Sequence, residues 1–369
     1  MKYYIISGEA SGDLHGSKLI EAIKKMDIKA HIRCWGGDLM KNSGGKLVKH
    51  YKELAFMGFW EVITNLKTIL SNIKFCKKDI LAFNPDVIIY IDYPGFNLRI
   101  SKWAKKKGFK NHFYISPQVW AWKENRVRQM KRDLDELYVI LPFEKEYFEE
   151  KHQFSVKYVG HPLLDRVLHL KKPTRFLTKN QLSETKPLIA LLPGSRLQEI
   201  KKILPNYLTV TKFFPQYEFV IAGAPGIAPN EYAHFLKDEQ VKLIYNQTHD
   251  LLMHSKAALV SSGTATLETA LFNVPQVVCY RSSFLSYHIA KRLVKLKFIS
   301  LVNLILNREV VKELIQNSFT PYELKKQMAY ILSDDGQKQL KADYQSLRLI
   351  LGKGGASKRT AELIIKAIM

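Results

Sequence analysis

Residues 259–268 of this 369-residue chain combine an apolar run, a turn of small residues and a carboxylate. We interpret them as the end of a buried strand, a tight turn at Gly263 and a helix that begins with Thr264 and Ala265. Helix N-termini present unpaired backbone N–H groups and a positive dipole end, which suit a phosphate. Glu268 lies one turn deeper on the face of Ala265, where its carboxylate can accept hydrogen bonds from ribose hydroxyls. The pattern predicts a nucleoside-diphosphate site, although a well-capped turn without a ligand shares it.

A second segment, 189–199, has the same order of strand, turn and helix start. It places the cation of Arg196 where a diphosphate would need one. Neither segment contains the phosphate-binding pattern of P-loop ATPases or the glycine fingerprint of dinucleotide-binding dehydrogenases. These two classes of nucleotide-binding protein are therefore disfavoured.

The first half of the chain offers candidates for the reacting end of a substrate. A glycine-rich turn at 8–16 follows the first predicted strand. The polar side chains there that we predict to bind substrate are Glu9, Ser11, Asp13 and His15. Helix capping is the alternative for Ser11 and Asp13. Asp92 ends another predicted strand at the same sheet edge, so we assign it as the candidate general base, with a turn-capping role as its alternative.

The elements that must position these residues alternate along the chain. Short β-branched or aromatic runs are followed by helix-length amphipathic segments, which predicts βαβ units with right-handed crossovers. The fold class is therefore α/β, with two doubly wound, Rossmann-like domains of parallel strands and an active site in the cleft between them. A polar stretch near 171–187 indicates domains at 1–172 and 173–350. A C-terminal helix is expected at 351–369, and the sequence leaves open whether this helix packs against the first domain.

Composition limits the kind of protein. The formal charge of +23 is concentrated between residues 99 and 132, which predicts an anionic partner or surface. Three cysteines without metal-ligand spacing argue for reduced thiols in the cytoplasm and against a zinc site. The first strand follows Lys2 directly, which leaves no room for a signal peptide, and no apolar run approaches the ~18 residues of a membrane span. A long helix predicted at 56–75 either faces the core or dips into a bilayer.

Taken in order, these segments resemble those of the lipid A disaccharide synthases, a family of GT-B glycosyltransferases. The matching segments are GEASGDLHG at 8–16, Met57-Gly58 with Glu61-Val62, Asp92 with Pro94 and Phe96-Asn97, SPQVWAW at 116–122, LPFE at 141–144, GHP at 160–162, LPGSR at 192–196 with Glu199, SGTATLE at 262–268 and VNL at 302–304. The chain departs from the family at Gly95, where many relatives carry a second acidic residue. That departure puts a carboxylate pair in doubt and leaves Asp92 as the stronger base candidate.

The resemblance implies transfer of 2,3-diacylglucosamine from its UDP derivative to the 6-hydroxyl of 2,3-diacylglucosamine 1-phosphate. An inverting reaction of this kind gives lipid A disaccharide 1-phosphate and UDP. Asp92 would deprotonate the acceptor, and Glu268 would hold the ribose. The residues predicted to bind the UDP-sugar are Arg196, Gly263, Thr264, Ala265, Glu268 and Asn303.

The resemblance also implies the partners: the two acylated sugars, an anionic membrane surface and no nucleic acid. We expect no metal or other cofactor. The pattern Asp133-Leu134-Asp135 is typical of metal-dependent transferases, but it precedes its predicted strand and so lies at the wrong sheet edge. The expected location is cytoplasmic, peripheral on the inner face of the inner membrane, with the oligomeric state open. The alternatives are a nucleic-acid-binding protein, favoured by charge alone, and another GT-B relative such as a UDP-sugar epimerase or a lipid-II-forming transferase.

Overall fold

The computed structural model describes residues 1–54, 66–168, 170–236, 241–283, 287, 292 and 296–369. Two compact units make up the chain. The first unit consists of Met1–Asp165 and Lys353–Met369, and the second consists of Arg166–Gly352. The chain therefore leaves the first unit before the polar stretch that indicated a boundary at 172, since residues from Arg166 onward pack with the second unit.

The first unit is built on a seven-stranded sheet. Its strands are β1 (Lys2–Ser7), β2 (His31–Gly36), β3 (Lys46–His50), β4 (Val87–Ile91), β5 (Asn111–Tyr114), β6 (Glu136–Val139) and β7 (Lys157–Tyr158). They are all parallel, in the order β3-β2-β1-β4-β5-β6-β7. The described α-helices before the second unit are α1 (Ala10–Met26), α2 (Asp38–Asn42), α3 (Leu66–Phe83), α4 (Pro94–Lys106), α5 (Arg126–Asp133), α6 (Pro142–Glu146) and α7 (Pro162–Val167), of which α7 crosses the boundary to the second unit.

The second unit contains a six-stranded parallel sheet. Its strands are β8 (Leu188–Leu192), β9 (Glu218–Gly223), β10 (Lys242–Tyr245), β11 (Ser255–Ser261), β12 (Gln276–Tyr280) and β13 (Lys312–Ile315), in the order β10-β9-β8-β11-β12-β13. Its described helices are α8 (Phe176–Lys179), α9 (Leu197–Thr211), α10 (Pro229–Leu236), α11 (Thr248–His254), α12 (Thr264–Leu271), α13 (Leu301–Leu306), α14 (Pro321–Leu332) and α15 (Asp334–Leu351). The prediction of two doubly wound α/β domains is confirmed.

Central strands explain the apolar runs that the sequence shows. Tyr4 and Ile6 of β1 lie in one core of the first unit, and Tyr3 and Ile5 lie in the other. Successive strand residues point to opposite faces, so a strand covered on both sides by helices is apolar at every position. The sheet edge at the carboxyl ends of the strands is then where polar residues collect.

The last helix, α16 (Ala356–Ile368), packs in the first unit. Its Ala361 and Ile364 are fully buried in the same core as Ile5. Asp165 accepts hydrogen bonds from the backbone N–H groups at the start of this helix, at 3.2 Å from Ala356 and 3.2 Å from Ser357. A carboxylate at a helix N-terminus satisfies orphan donors and complements the dipole.

The predicted helix at 56–75 lies in part outside the described residues, which omit 55–65. Its described part belongs to α3, on which Leu70 and Phe75 are 58% and 45% exposed. In the described ranges of the chain, no helix is both long enough and apolar enough to cross a membrane.

Candidate active site

A cavity of about 550 Å³ lies at the carboxyl ends of β8, β9 and β11 in the second unit. The predicted residues that line it are Arg196, Gly263, Thr264, Ala265 and Glu268. The two strand–turn–helix segments that sequence analysis selected therefore meet in one cavity. The lining residues that sequence analysis did not propose as ligands include Gly194, Ser195, Glu199, Thr248 and residues 222–225.

Gly263 shapes one end of this cavity. Its φ of +154° is one that L side chains rarely adopt, and an added Cβ would meet no atom within 4 Å. Gly263 provides no side-chain cap to α12. Its carbonyl instead accepts hydrogen bonds from the N–H and the hydroxyl of Thr266, at 3.1 and 2.8 Å. Thr264 and Ala265 are the first residues of α12, and N–H groups at such a helix start can donate to an anion.

The opposite turn is held by Glu199. Gly194 has a φ of +121°, and a Cβ there would lie 2.6 Å from Oε2 of Glu199. The same oxygen accepts the backbone N–H of Ser195 at 3.2 Å. The other oxygen, Oε1, is 3.9 Å from Nη1 of Arg196, whose side chain is 71% exposed. Glu199 thus supports a turn that presents the accessible guanidinium of Arg196 beside the cavity. The resemblance to the family had included Glu199 but had given it no role.

Glu268 has a partner that the sequence did not indicate. Nε2 of His249, on α11, lies 3.5 Å from Oε1 of Glu268. Both side chains are largely buried, at 13% and 19% exposed, and the ring of Phe272 packs against the imidazole. The pair fixes one carboxylate oxygen and leaves the second for hydroxyl donors. Because His249 belongs to a different helix, no local pattern around Glu268 could have identified it.

Asn303, which the sequence analysis predicted to bind the UDP-sugar, has a structural role in this unit. It is fully buried, and its amide nitrogen donates to the Val311 carbonyl and to Glu313 at 2.9 and 2.8 Å. Its amide oxygen accepts the N–H groups of Val310 and Val311 at 2.8 and 2.9 Å. These contacts use both donors and both lone pairs of the amide, so no capacity remains for a substrate. Asn303 does not line the cavity.

In the first unit, Asp92 directly follows β4 at the carboxyl edge of the sheet. Asp92 and Tyr93 have φ values of 44° and 49°, and the β-branched Ile115, which follows β5, has 67°. Such conformations are costly for residues other than glycine and collect at functional sites. The Asn97 amide donates to the Asp92 carbonyl at 2.7 Å. The Asp92 N–H donates to the Tyr114 carbonyl at 3.3 Å. These bonds hold the carboxylate at the sheet edge.

The electrostatics of this edge suit a base. Burial, and then the negative charge of Glu9, raise the pKa of Asp92 to about 6. Burial also raises the pKa of Glu144 to about 7, with a smaller contribution from Asp92. Glu144 accepts hydrogen bonds from the indole of Trp120 at 3.1 Å and from the Leu141 N–H at 2.9 Å. With a pKa of about 6, Asp92 is a stronger base than an ordinary aspartate and is still largely ionised at pH 7.

The four candidates in the turn at 8–16 divide by exposure. Glu9 and Ser11 are exposed, and His15 is half-buried. Burial, together with the charge of His15, lowers the pKa of a neighbouring residue, His161, to about 3, so that imidazole is neutral. Accessible polar side chains thus accompany Asp92 at the same edge of the sheet.

Asp13 is the fourth candidate, and it is buried. Its carboxylate accepts the backbone N–H groups of Gly37, Leu39 and Met40, at 2.7, 3.1 and 3.0 Å. It therefore caps α2, a helix of a different segment, whereas the capping alternative had considered only its own helix. The structure gives this carboxylate a positioning role for α2 rather than an accessible oxygen for substrate.

The D-x-D pattern lies where the sequence placed it, before β6 and at the amino edge of the sheet. Asp133 pairs with Arg132 at 2.7 Å. Asp135 pairs with Lys105 and accepts the Asn111 N–H at 2.8 Å. Both carboxylates thus have cationic partners, and they lie at the sheet edge opposite to Asp92.

Comparisons with known proteins place the chain in a family. A family model described as lipid-A-disaccharide synthetase matches residues 3–368. A lipid-A-disaccharide synthase of Syntrophus aciditrophicus is 36% identical, over 99% of this chain and 97% of that protein. One from Trichlorobacter lovleyi is 34% identical, over 99% and 97%. Among solved structures, UDP-GlcNAc 2-epimerase from Neisseria meningitidis, bound to UDP-GlcNAc, has a TM-score of 0.70 at 14% identity, covering 99% of this chain and 100% of its own.

The likeness to the epimerase, at so low an identity, concerns the fold alone. The family model and the relatives extend over nearly the whole chain, and they favour neither an epimerase nor a lipid-II-forming transferase. The chain belongs to the lipid-A-disaccharide synthetase family and is a glycosyltransferase that forms the lipid A disaccharide.

Proposed function

We propose that the chain transfers 2,3-diacylglucosamine from UDP to the 6-hydroxyl of 2,3-diacylglucosamine 1-phosphate, with inversion at the anomeric carbon. The observation that carries this proposal is the pair of complementary sheet edges. The sheet edge of the first unit holds Asp92, whose pKa is about 6. The sheet edge of the second unit holds a cavity that is lined by both segments predicted to bind UDP. The solved epimerase that shares the fold binds UDP-GlcNAc, which supports a UDP-sugar donor.

On the acceptor side, Asp92 takes the proton of the 6-hydroxyl while the hydroxyl oxygen attacks the anomeric carbon of the donor sugar. The bond between that carbon and the β-phosphate oxygen breaks, and UDP leaves with the electron pair. A single displacement of this kind needs one base and inverts the centre. The raised pKa of Asp92 brings its basicity closer to the operating pH, where general base catalysis is most efficient.

On the donor side, the second unit stabilises the charge that develops on UDP. The N–H groups of Thr264 and Ala265 and the guanidinium of Arg196 border the same cavity and contact the diphosphate. Glu268, fixed by His249, accepts hydrogen bonds from the ribose hydroxyls. These contacts strengthen as negative charge moves onto the leaving group.

An assay of purified protein with both acylated sugars tests this function. The expected products are UDP and a disaccharide 1-phosphate in equal amounts, with a β linkage by NMR. Release of UDP without the acceptor, or conversion of UDP-GlcNAc to its 2-epimer, would contradict it.

We also propose that the protein binds the anionic inner leaflet of the inner membrane. Supporting observations are the exposed Leu70 and Phe75 on α3 and the basic segment 99–132. Each Lys or Arg near such a surface contributes about 1 kcal/mol, which salt screens, whereas apolar insertion is much less sensitive to salt.

Vesicle sedimentation tests this attachment. High salt should release only part of the protein from anionic vesicles. Replacing Phe59 and Trp60 with serine should release the remainder; both belong to the helix predicted at 56–75 and lie outside the described residues. Leu349→Ser, at a residue 82% exposed in the second unit, is the matched control and should sediment like the wild type. Retention of the folded double variant in high salt, with the fold checked by circular dichroism, would mean that another surface binds the membrane.

A further inference from the structure

Two cations converge on one exposed indole in the first unit. Trp122 is 43% exposed. Nζ of Lys123 lies 4.2 Å from the centroid of its ring, and Cζ of Arg126 lies 5.8 Å from it. Cation–π contacts attract both side chains to the same ring, so they hold two positive charges close together.

Among the described residues, no carboxylate pairs with either cation. Glu124, which lies between them in sequence, pairs with Lys151 at 2.6 Å and with His152 at 3.1 Å. No ion pair joins a carboxylate to Lys123 or Arg126 in the part of the chain that the structure describes. Partial burial and the charge of Arg126 lower the pKa of Lys123. Two unneutralised like charges repel each other, and a bound anion would remove that cost.

The backbone adds to this arrangement. Lys123 has a φ of 57°, a conformation that is uncommon for a lysine and collects at functional sites. Arg126 begins α5, which has neither a side-chain cap nor an acidic residue in its first turn. The positive end of that helix dipole therefore adds to the charge of the two side chains.

The pair lies on the segment that leaves the sheet beside Asp92. β4 and β5 are parallel neighbours, with Ile91 opposite Tyr114, so Asp92 and Ile115 emerge side by side at the carboxyl edge. The segment that continues from Ile115 carries Trp120, whose indole binds Glu144, and then Trp122. The segment that begins beside Asp92 thus also carries the two cations, eight and eleven residues after Ile115.

We propose that Lys123 and Arg126, oriented by Trp122, bind the phosphate monoester of the acceptor sugar. This inference rests on the proposed function, in which Asp92 contacts the 6-hydroxyl. In a hexose 1-phosphate, the phosphate and the 6-hydroxyl are attached on either side of the ring oxygen. A phosphate site near the base therefore selects a 1-phosphorylated acceptor and directs its 6-hydroxyl to Asp92. Lysine and arginine are the side chains that bind phosphate most strongly.

The test compares Lys123→Gln, Arg126→Gln and the double variant with the wild type, using acceptors with and without the 1-phosphate in detergent micelles. A charge-assisted hydrogen bond corresponds to about tenfold or more in affinity. We expect each single variant to raise KM for the phosphorylated acceptor by about that factor, with KM for the UDP-sugar unchanged. For the acceptor without phosphate, wild type and double variant should have the same KM. Lys325→Gln removes a similar cation–π contact in the second unit, where Nζ lies 4.0 Å from the ring centroid of the exposed Phe213; it is the matched control and should leave all constants unchanged.

Three outcomes would overturn the proposal. The first is an unchanged KM for the phosphorylated acceptor in the double variant. The second is an equal rise in KM for both acceptors, which would indicate a general structural role. The third is loss of sedimentation with anionic vesicles while KM in micelles stays constant, which would mean that the cations bind lipid headgroups. A wild type that forms no disaccharide would instead refute the proposed function, so the two failures are distinguishable.

Discussion

The two units carry opposite chemistry at the carboxyl edges of similar parallel sheets. In the first unit, Asp92 stands in a strained backbone, and burial and the charge of Glu9 raise its pKa. In the second unit, turns at Gly194 and Gly263 have positive φ at residues without a side chain, and a cation borders the cavity.

The difference fits the role that we propose for each edge, a base in the first unit and a diphosphate site in the second. A base is improved by burial and by nearby negative charge, because both disfavour its ionised form. A diphosphate needs the reverse: close approach to backbone N–H groups and positive charge, which glycine turns and helix N-termini provide. One fold, present twice in the chain, is thus suited to a proton acceptor in one copy and to an anion in the other.

The largest expected effect is at the base. Asp92→Asn keeps the shape of the side chain and tolerates the left-handed backbone, but it cannot take up a proton. Turnover should fall by about 10²–10⁴. Titration with UDP should give a normal affinity, because we propose that the nucleotide binds to the second unit. Turnover close to that of the wild type would remove Asp92 from the mechanism.

The complementary change is in the second unit. Glu268→Ala should weaken UDP binding by about 1.5–3 kcal/mol, the worth of a hydrogen bond to a charged group. Calorimetric titration with UDP measures this loss directly. The acid limb of the pH–rate profile should keep its position, because Asp92 is unaltered. Unchanged UDP affinity would mean that other residues hold the ribose.

A third substitution tests whether Asn303 stabilises the fold of the second unit or binds the substrate. Asn303→Ala leaves the buried N–H groups of Val310 and Val311 without an acceptor, which costs about 1–3 kcal/mol of folding free energy for each group left unpaired. The melting temperature should therefore fall, while KM for the UDP-sugar at a permissive temperature stays close to normal. A stable variant in which only KM for the UDP-sugar rises would mean that Asn303 does bind that substrate.

The smallest effect concerns pH. Because the base must be ionised, kcat/KM should fall as the pH drops through about 6, the pKa of Asp92. Glu9→Gln removes the negative charge that contributes to this raised pKa, so the acid limb should move to lower pH. Burial is the larger cause and Glu9 is exposed, so we expect a shift of a fraction of a pH unit. An acid limb that stays in place would show that burial alone sets the pKa.

Much of the fold was predictable because its signals are local. Apolar runs at strand spacing gave the parallel sheets, and the turns after β8 and β11 were recognised from small residues that precede a helix. Those turns meet in one cavity because parallel strands end at a common edge. The position of Asp92 at the other sheet edge followed from the same rule.

The roles that could not be predicted depend on partners outside the local motif. The N–H groups that occupy Asp13 belong to α2, and those that occupy Asn303 belong to a turn that follows α13. Glu144 and His249 acquire their importance through Asp92 and Glu268, which lie far from them in sequence. A sequence shows that a polar residue lies at a strand end, but packing decides whether its oxygens are already occupied.

The way α16 completes the first unit has a consequence for synthesis of the chain. The second unit is one continuous stretch, Arg166–Gly352, whereas the first needs both Met1–Asp165 and Lys353–Met369. On the ribosome, the inserted unit therefore has its whole sequence available before the unit that starts the chain. Until Ala361 and Ile364 arrive, the core around Ile5 stays uncovered. The half-finished first unit is then the stage most exposed to aggregation, and Asp165 is positioned to capture the start of the last helix when it emerges.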